Sequence, residues 1–226
     1  MDLIKKYIAK NSIKGIFIDI DDTIYNYKAA HSIAIKQCYE YFFKNISSRL
    51  DFNKFNEIYR DKRNIVTSNL YPQGACRSRF LAFQSMFEDF DLKKPYELAL
   101  LFEKLYWNSL INTISVYEPV LDLLHYAKNN NIKTCAVTDM QAYYQVKKLE
   151  KLQVSDYIDY LATSEEAGEE KPSKKIFNLA LRKVKLKNNQ VIMIGDSLEK
   201  DINGAEKLGI KAFNIEELLY DKSSSF

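Results

Sequence analysis

Between residues 133 and 215 the chain alternates short apolar runs with longer stretches of helical spacing, and this alternation restricts the fold more than any other feature. Residues 133–137, 157–163 and 191–194 read as strands, and 212–215 as a further strand at a sheet edge. Residues 142–152, 173–184 and 198–208 repeat apolar side chains at helical spacing. Strands separated by helices are joined by right-handed crossovers, so the sheet is parallel. Parallel strands are covered on both faces and read as continuous apolar runs. Gly15-Ile16-Phe17-Ile18 has that character and supplies one more strand near the N-terminus. The expected fold class is a doubly wound α/β core.

The pattern changes between about residues 29 and 111. Ala30, Ile33, Ala34, Cys38, Tyr41 and Phe42 recur at helical spacing, followed by Phe55, Ile58 and Tyr59, by Phe80, Phe83 and Phe87, and by Leu98, Leu101, Phe102, Leu105 and Tyr106. The block reads as an all-helical insertion whose aromatic residues form its core. Pro119 then opens a helix carrying Val120, Leu121, Leu124 and Ala127, which stops at Asn129-Asn130-Asn131. The expected domains are an α/β core of residues 1–25 and 115–226 and a helical insertion of residues 26–114. A length of 226 residues suits one domain with a substantial insertion.

Composition narrows the function classes. Lys plus Arg number 33 against 30 for Asp plus Glu, and a net charge of +3 over this length is too weak for a dedicated nucleic-acid footprint. No apolar run approaches the ~20 residues that span a bilayer, and no hydrophobic stretch of signal-peptide length follows Met1, so a cytoplasmic protein without a membrane partner is expected. Cys38, Cys76 and Cys135 are far apart and odd in number, which favours idle thiols over a disulfide framework or a zinc site. Glycine is scarce, with only 6 residues, yet Gly195, Gly204 and Gly209 share one short window and Gly15 opens the first strand. These four mark two special loops.

In open α/β sheets ligands bind beyond the carboxyl ends of the strands. The first strand is followed by Asp19, Asp21, Asp22 and Thr23, and the second by Thr138 and Asp139. The third leads to Lys171-Pro172, and the fourth to Gly195, Asp196 and Asp201. Carboxylates, a hydroxyl and an amine therefore converge on one edge. Close aspartates repel one another without a cation, and hard oxygen ligands suit Mg²⁺. His31 and His125 lie on expected helices and receive no catalytic role.

The stretch FIDIDDTIY, the strand-end Thr138, GEEKPSKKIF around Lys171 and IGDSLEKDINGA resemble the four ordered motifs of the haloacid dehalogenase-like (HAD) hydrolases, most of them Mg²⁺-dependent phosphatases. The helical block resembles the cap that this family inserts after the first strand of its Rossmann-like core. The resemblance implies that Asp19 is the nucleophile, forming an aspartyl-phosphate, and that Asp21 is the general acid and then the base. Mg²⁺ is then held by Asp19, the backbone carbonyl of Asp21 and Asp196, with Asp201 orienting that site from outside. Thr138 and Lys171 bind the transferring phosphoryl group. Asp139 departs from the neutral residue common in the family, and either orients Lys171 or narrows the substrate range.

The implied partner is a small-molecule phosphate ester: a sugar or polyol phosphate, a phosphoglycolate-like acid or a nucleoside monophosphate. Asp21 favours phosphate esters over haloacids, because a departing halide needs no proton. A phosphomutase using the same residues is the alternative activity, and a catalytically silent binding module is an alternative of another class. The segment GACRSRF adds Arg77 and Arg79, which are either a solvated basic turn or guanidinium groups that read the non-reacting end of the substrate.

Overall fold

The computed structural model describes residues 2–219 and divides into two compact units, one from the chain before Tyr27 and after Ile114 and one spanning Tyr27–Ile114. In chain order the longer helices are α1 (Asp2–Lys10), α2 (Tyr27–Asn45), α3 (Phe52–Leu70), α4 (Arg79–Asp89), α5 (Pro95–Thr113), α6 (Glu118–Asn129), α7 (Ala142–Lys151) and α8 (Lys174–Val184). The strands are β1 (Gly15–Ile18), β2 (Lys133–Thr138), β3 (Tyr160–Thr163), β4 (Val191–Gly195) and β5 (Lys211–Asn214). The Ser223–Ser225 tail lies outside the described residues.

The first unit is built on one five-stranded sheet in the order β3-β2-β1-β4-β5, with every pairing parallel. All four residues of β1 and all five of β4 are buried, as a sheet covered on both faces requires. β1 sits in the middle, and its register sets Ile18 beside Ala136 of β2 and Ile194 of β4. The residues that follow these three strands therefore emerge side by side. On one face α8 lays Ile176, Phe177, Ala180 and Val184 against Phe17, Cys135, Val137 and Met193. Ser173 caps that helix by accepting from the Lys175 backbone N–H.

Two elements differ from expectation. Residues 155–157 form a 3-10 turn, so β3 begins only at Tyr160. The helix expected over 198–208 is a π-helical turn, Leu198–Asn203, followed by a short α-helical turn, Gly204–Glu206. The wider turn places Asp201 back under the end of β4, where Ser197 N–H donates to its carboxylate. Helix α1 was not anticipated, and it buries Ile4 and Ile8, one turn apart.

The second unit is helices α2 to α5, whose buried face is largely aromatic. Phe42, Phe55, Phe83, Phe87 and Phe102 are enclosed, with Phe87 and Phe102 edge to face at 4.8 Å between ring centres. The aromatic repeat of the insertion is therefore core packing, as its spacing indicates.

Candidate active site

Asp19 is the first residue beyond β1, and its backbone N–H extends the β1–β4 pairing by donating to Ile194 O at 2.9 Å. Its carboxylate is almost enclosed and meets Lys171 Nζ at 2.7 Å. That ammonium also donates to Asp201 Oδ1 at 2.6 Å and to the Val137 carbonyl at 3.0 Å, so its three donors are used. Burial and the flanking Asp201 and Asp21 push the Asp19 carboxyl up to about 8 despite the opposing pull of Lys171. Burial works to lower Lys171, but Asp19, Asp201 and Asp139 outweigh it and hold the ammonium charged well above the usual lysine range.

The carboxylate oxygens of Asp19, Asp196 and Asp201 lie within 4.8 Å of one another. Burial, Asp201 and Asp22 also push the Asp196 carboxyl upward. Two carboxyls held toward their neutral forms, in a set of hard oxygen donors, fit a divalent cation whose charge would restore both as anions. Asp201 has both oxygens engaged, Oδ1 by Lys171 and Oδ2 by the Ser197 backbone N–H at 3.0 Å, which fits an outer, orienting position. The Asp21 side chain is not in this group; its contribution there would be its backbone carbonyl.

Asp21 turns its carboxylate to α7. Lys148 Nζ donates to Asp21 Oδ1 at 2.7 Å and to Oδ2 at 2.9 Å, Tyr25 Oη donates to Oδ1 at 2.5 Å, and Gln145 Nε2 reaches Oδ2 at 3.4 Å. Burial pushes this carboxyl up, but the Lys148 ammonium and these hydrogen bonds outweigh burial and hold Asp21 below the usual carboxylate range. Thr138 is fully buried at the end of β2, and its hydroxyl accepts from Gln145 Nε2 at 2.7 Å. Asp139 accepts the Lys171 backbone N–H at 2.8 Å and the Lys200 ammonium at 2.7 Å, so it braces the segment that carries Lys171.

Lys148, Gln145, Tyr25 and Lys200 were not anticipated from sequence. A signal existed for two of them: Gln145 and Lys148 share the α7 face that buries Leu149.

Arg77 and Arg79 fall in the second unit and separate there. Arg77 is half-buried at the end of a 3-10 turn, Gly74–Arg77. Arg79 is no solvated turn: it opens α4, is 5% exposed, and donates from Nη2 to Tyr27 Oη at 2.5 Å. Its guanidinium lies 5.0 Å from the Tyr106 ring centre, and Nε and Nη1 have no hydrogen-bond partner among the described residues. Arg63 donates to the Cys76 and Ser78 carbonyls. His31 is half-buried, with Nδ1 2.7 Å from Tyr106 Oη, and His125 is hydrogen-bonded to Tyr157.

A parallel α/β sheet with an acidic cluster and a buried lysine at its carboxyl edge defines a class of hydrolase, and the match to a family model bears this out. Residues 13–209 match the haloacid dehalogenase-like hydrolases, and the chain belongs to that family. It is 28% identical to the ribulose-1,5-bisphosphate 5-phosphatase of Halopiger xanaduensis over 92% of this chain and 85% of that protein. It is 26% identical to the glyceraldehyde 3-phosphate phosphatase of Methanocaldococcus jannaschii over 88% and 82% of the two chains. In fold it is similar to the magnesium-bound HAD hydrolase YfnB of Bacillus subtilis, with a TM-score of 0.67, 21% identity, and 88% and 87% coverage. Among the described residues no helix is long and apolar enough to cross a membrane.

Proposed function

We propose that this chain is a Mg²⁺-dependent phosphatase that hydrolyses a small phosphorylated metabolite through an aspartyl-phosphate on Asp19. It is a phosphoric monoester hydrolase, as its family and its curated phosphatase relatives support. The observation that carries the reading is the Asp19 carboxylate 2.7 Å from a fully enclosed Lys171, beside Asp196 and Asp201. Asp19 and Asp196, with the Asp21 backbone carbonyl, would hold the cation, and Asp201 would orient them. When bound, the cation supplies positive charge that keeps Asp19 ionised and offsets the charge of the phosphate.

Asp19 attacks phosphorus, and the ester P–O bond breaks as the Asp19–phosphorus bond forms. Lys171 faces the anionic oxygens, and Thr138 donates its hydroxyl to one of them. Asp21 starts as a carboxylate; the incoming phosphate charge raises its proton affinity, and the proton it takes up passes to the leaving oxygen. Asp21, again a carboxylate, then removes a proton from the water that attacks the aspartyl-phosphate. Inorganic phosphate leaves and Asp19 is regenerated.

The two relatives are named for phosphorylated sugars of five and three carbons, and a small sugar phosphate is the substrate class we propose. A screen of phosphate esters at fixed Mg²⁺, run on the native protein and on Asp19→Asn, tests the reading. Phosphate release without any acceptor, absent in the variant and silenced by EDTA until Mg²⁺ is restored, is the expected result. Release by folded Asp19→Asn at a near-native rate would refute it, and transfer only to an added sugar phosphate would favour the mutase.

A further inference from the structure

Lys148 is a lysine on a surface-packed helix whose side chain has no exposure at all. Its neighbours on α7 show the ordinary alternative, Lys147 being exposed and paired with Glu150. Removing an ammonium from water costs several kcal/mol, and a buried pair is often no more stabilising than an apolar residue of similar volume. Stability therefore does not account for a cation at this position.

Geometry does. Asp21 lies on the loop beyond β1, just before Asp22, which holds a positive φ of 58°. A side chain on such a loop needs an external brace to keep one orientation. Lys148 grips both carboxylate oxygens, and Tyr25 adds a third bond on Oδ1. Among the described residues Oδ2 has only the long 3.4 Å contact to Gln145 beyond its bond to Lys148, and the Asp21 side chain remains 26% exposed. One oxygen is thus left with capacity and access. Gln145, one turn before Lys148, also holds the Thr138 hydroxyl and the Asp139 carbonyl, so a single helix face links the proton-transfer carboxylate to the phosphate-binding hydroxyl.

We propose that Lys148 is a positioning residue that holds Asp21 with Oδ2 turned to the leaving-group oxygen, while Gln145 fixes its distance from Thr138. The proposal rests on the acid–base assignment of Asp21 above. It predicts that Lys148 matters where the leaving group needs a proton and not where phosphate is merely bound.

The test compares phenyl phosphate with p-nitrophenyl phosphate, esters of similar shape that differ in how much the departing oxygen needs protonation. Lys148→Met and Lys148→Gln are both made, since either one that folds, by thermal unfolding, carries the test. The expected result is a fall in kcat of about 100-fold on phenyl phosphate, the scale of lost general acid–base assistance, with less than about 10-fold on p-nitrophenyl phosphate and KM nearly constant. Lys148→Arg should recover part of the loss. In an Asp21→Asn background the Lys148 substitution should cost nothing further, because it acts only through Asp21. Equal losses on both esters, or losses that multiply with Asp21→Asn, would overturn the proposal. If Asp21→Asn itself fails to discriminate between the esters, the acid–base reading falls; if it discriminates and Lys148 variants do not, the positioning role alone falls.

Discussion

Gly195 closes β4, and replacing it by alanine puts a methyl group into the most crowded point of the site. An ideal Cβ there stands 2.3 Å from Asp201 Cγ and Oδ2, where ordinary contact begins at 3.4 Å, so the carboxylate must retreat by about 1.1 Å. It has nowhere to go without loss: Oδ1 is 2.6 Å from Lys171 Nζ, Oδ2 is 3.0 Å from Ser197 N, and the residue is 1% exposed. Breaking a buried pair and leaving the partner charge costs roughly 3–5 kcal/mol. Lys171 keeps Asp19 and the Val137 carbonyl, which argues for the lower end. Alanine also stiffens the unfolded chain, worth about 0.4–1 kcal/mol in its favour. A net loss of about 2–4 kcal/mol is expected, which for a chain of this size lowers Tm by roughly 5–15 °C. With Lys171 no longer braced from behind, kcat should fall about 100-fold or more, the scale of losing one aligned donor to the reacting group. Calorimetry and phosphate release on purified Gly195→Ala check both. A variant with native Tm and native kcat would show that the Asp201–Lys171 contact has slack, and the account of this corner would be wrong.

Lys171→Ala should reduce kcat at least about 100-fold on alkyl and activated aryl phosphates alike, since it removes charge from the phosphoryl site; steady-state kinetics on one ester of each kind would reveal any discrimination. Burial, with the Arg79 and Arg63 guanidiniums behind it, pushes the His31 imidazole down to about 3. The unfolded chain takes up that proton near pH 6.5 and the folded one does not, so stability falls as pH drops from about 6.5 toward 3, by up to about 2 kcal/mol at pH 5. Tm measured against pH should lose this part of its slope in His31→Gln, and an unchanged slope would dismiss the assignment.

The edge of the sheet was legible because chemistry there is anchored by strand ends, and strand ends are marked by where apolar runs stop. Asp19, Thr138 and Asp196 each follow such a run directly or within two residues, and the parallel register then aligns them. What lies behind that edge was not legible, and the reason is separation along the chain. Lys148 meets Asp21 across 127 positions and Lys200 meets Asp139 across 61, whereas periodicity reports only on neighbours within a turn or two. In α7 the run Lys147-Lys148 looks like two solvated charges, although helical phase sends the first to solvent and the second inward. The same reasoning explains Arg79, which sequence leaves as either a wet turn or a recognition group until Tyr27 and Tyr106 enclose it. A charged residue on the buried phase of a helix is thus a sequence-level signal, and it becomes informative once the fold class supplies a strand end opposite. Applied to α7, that rule selects Lys148 over Lys147 and points it at Asp21.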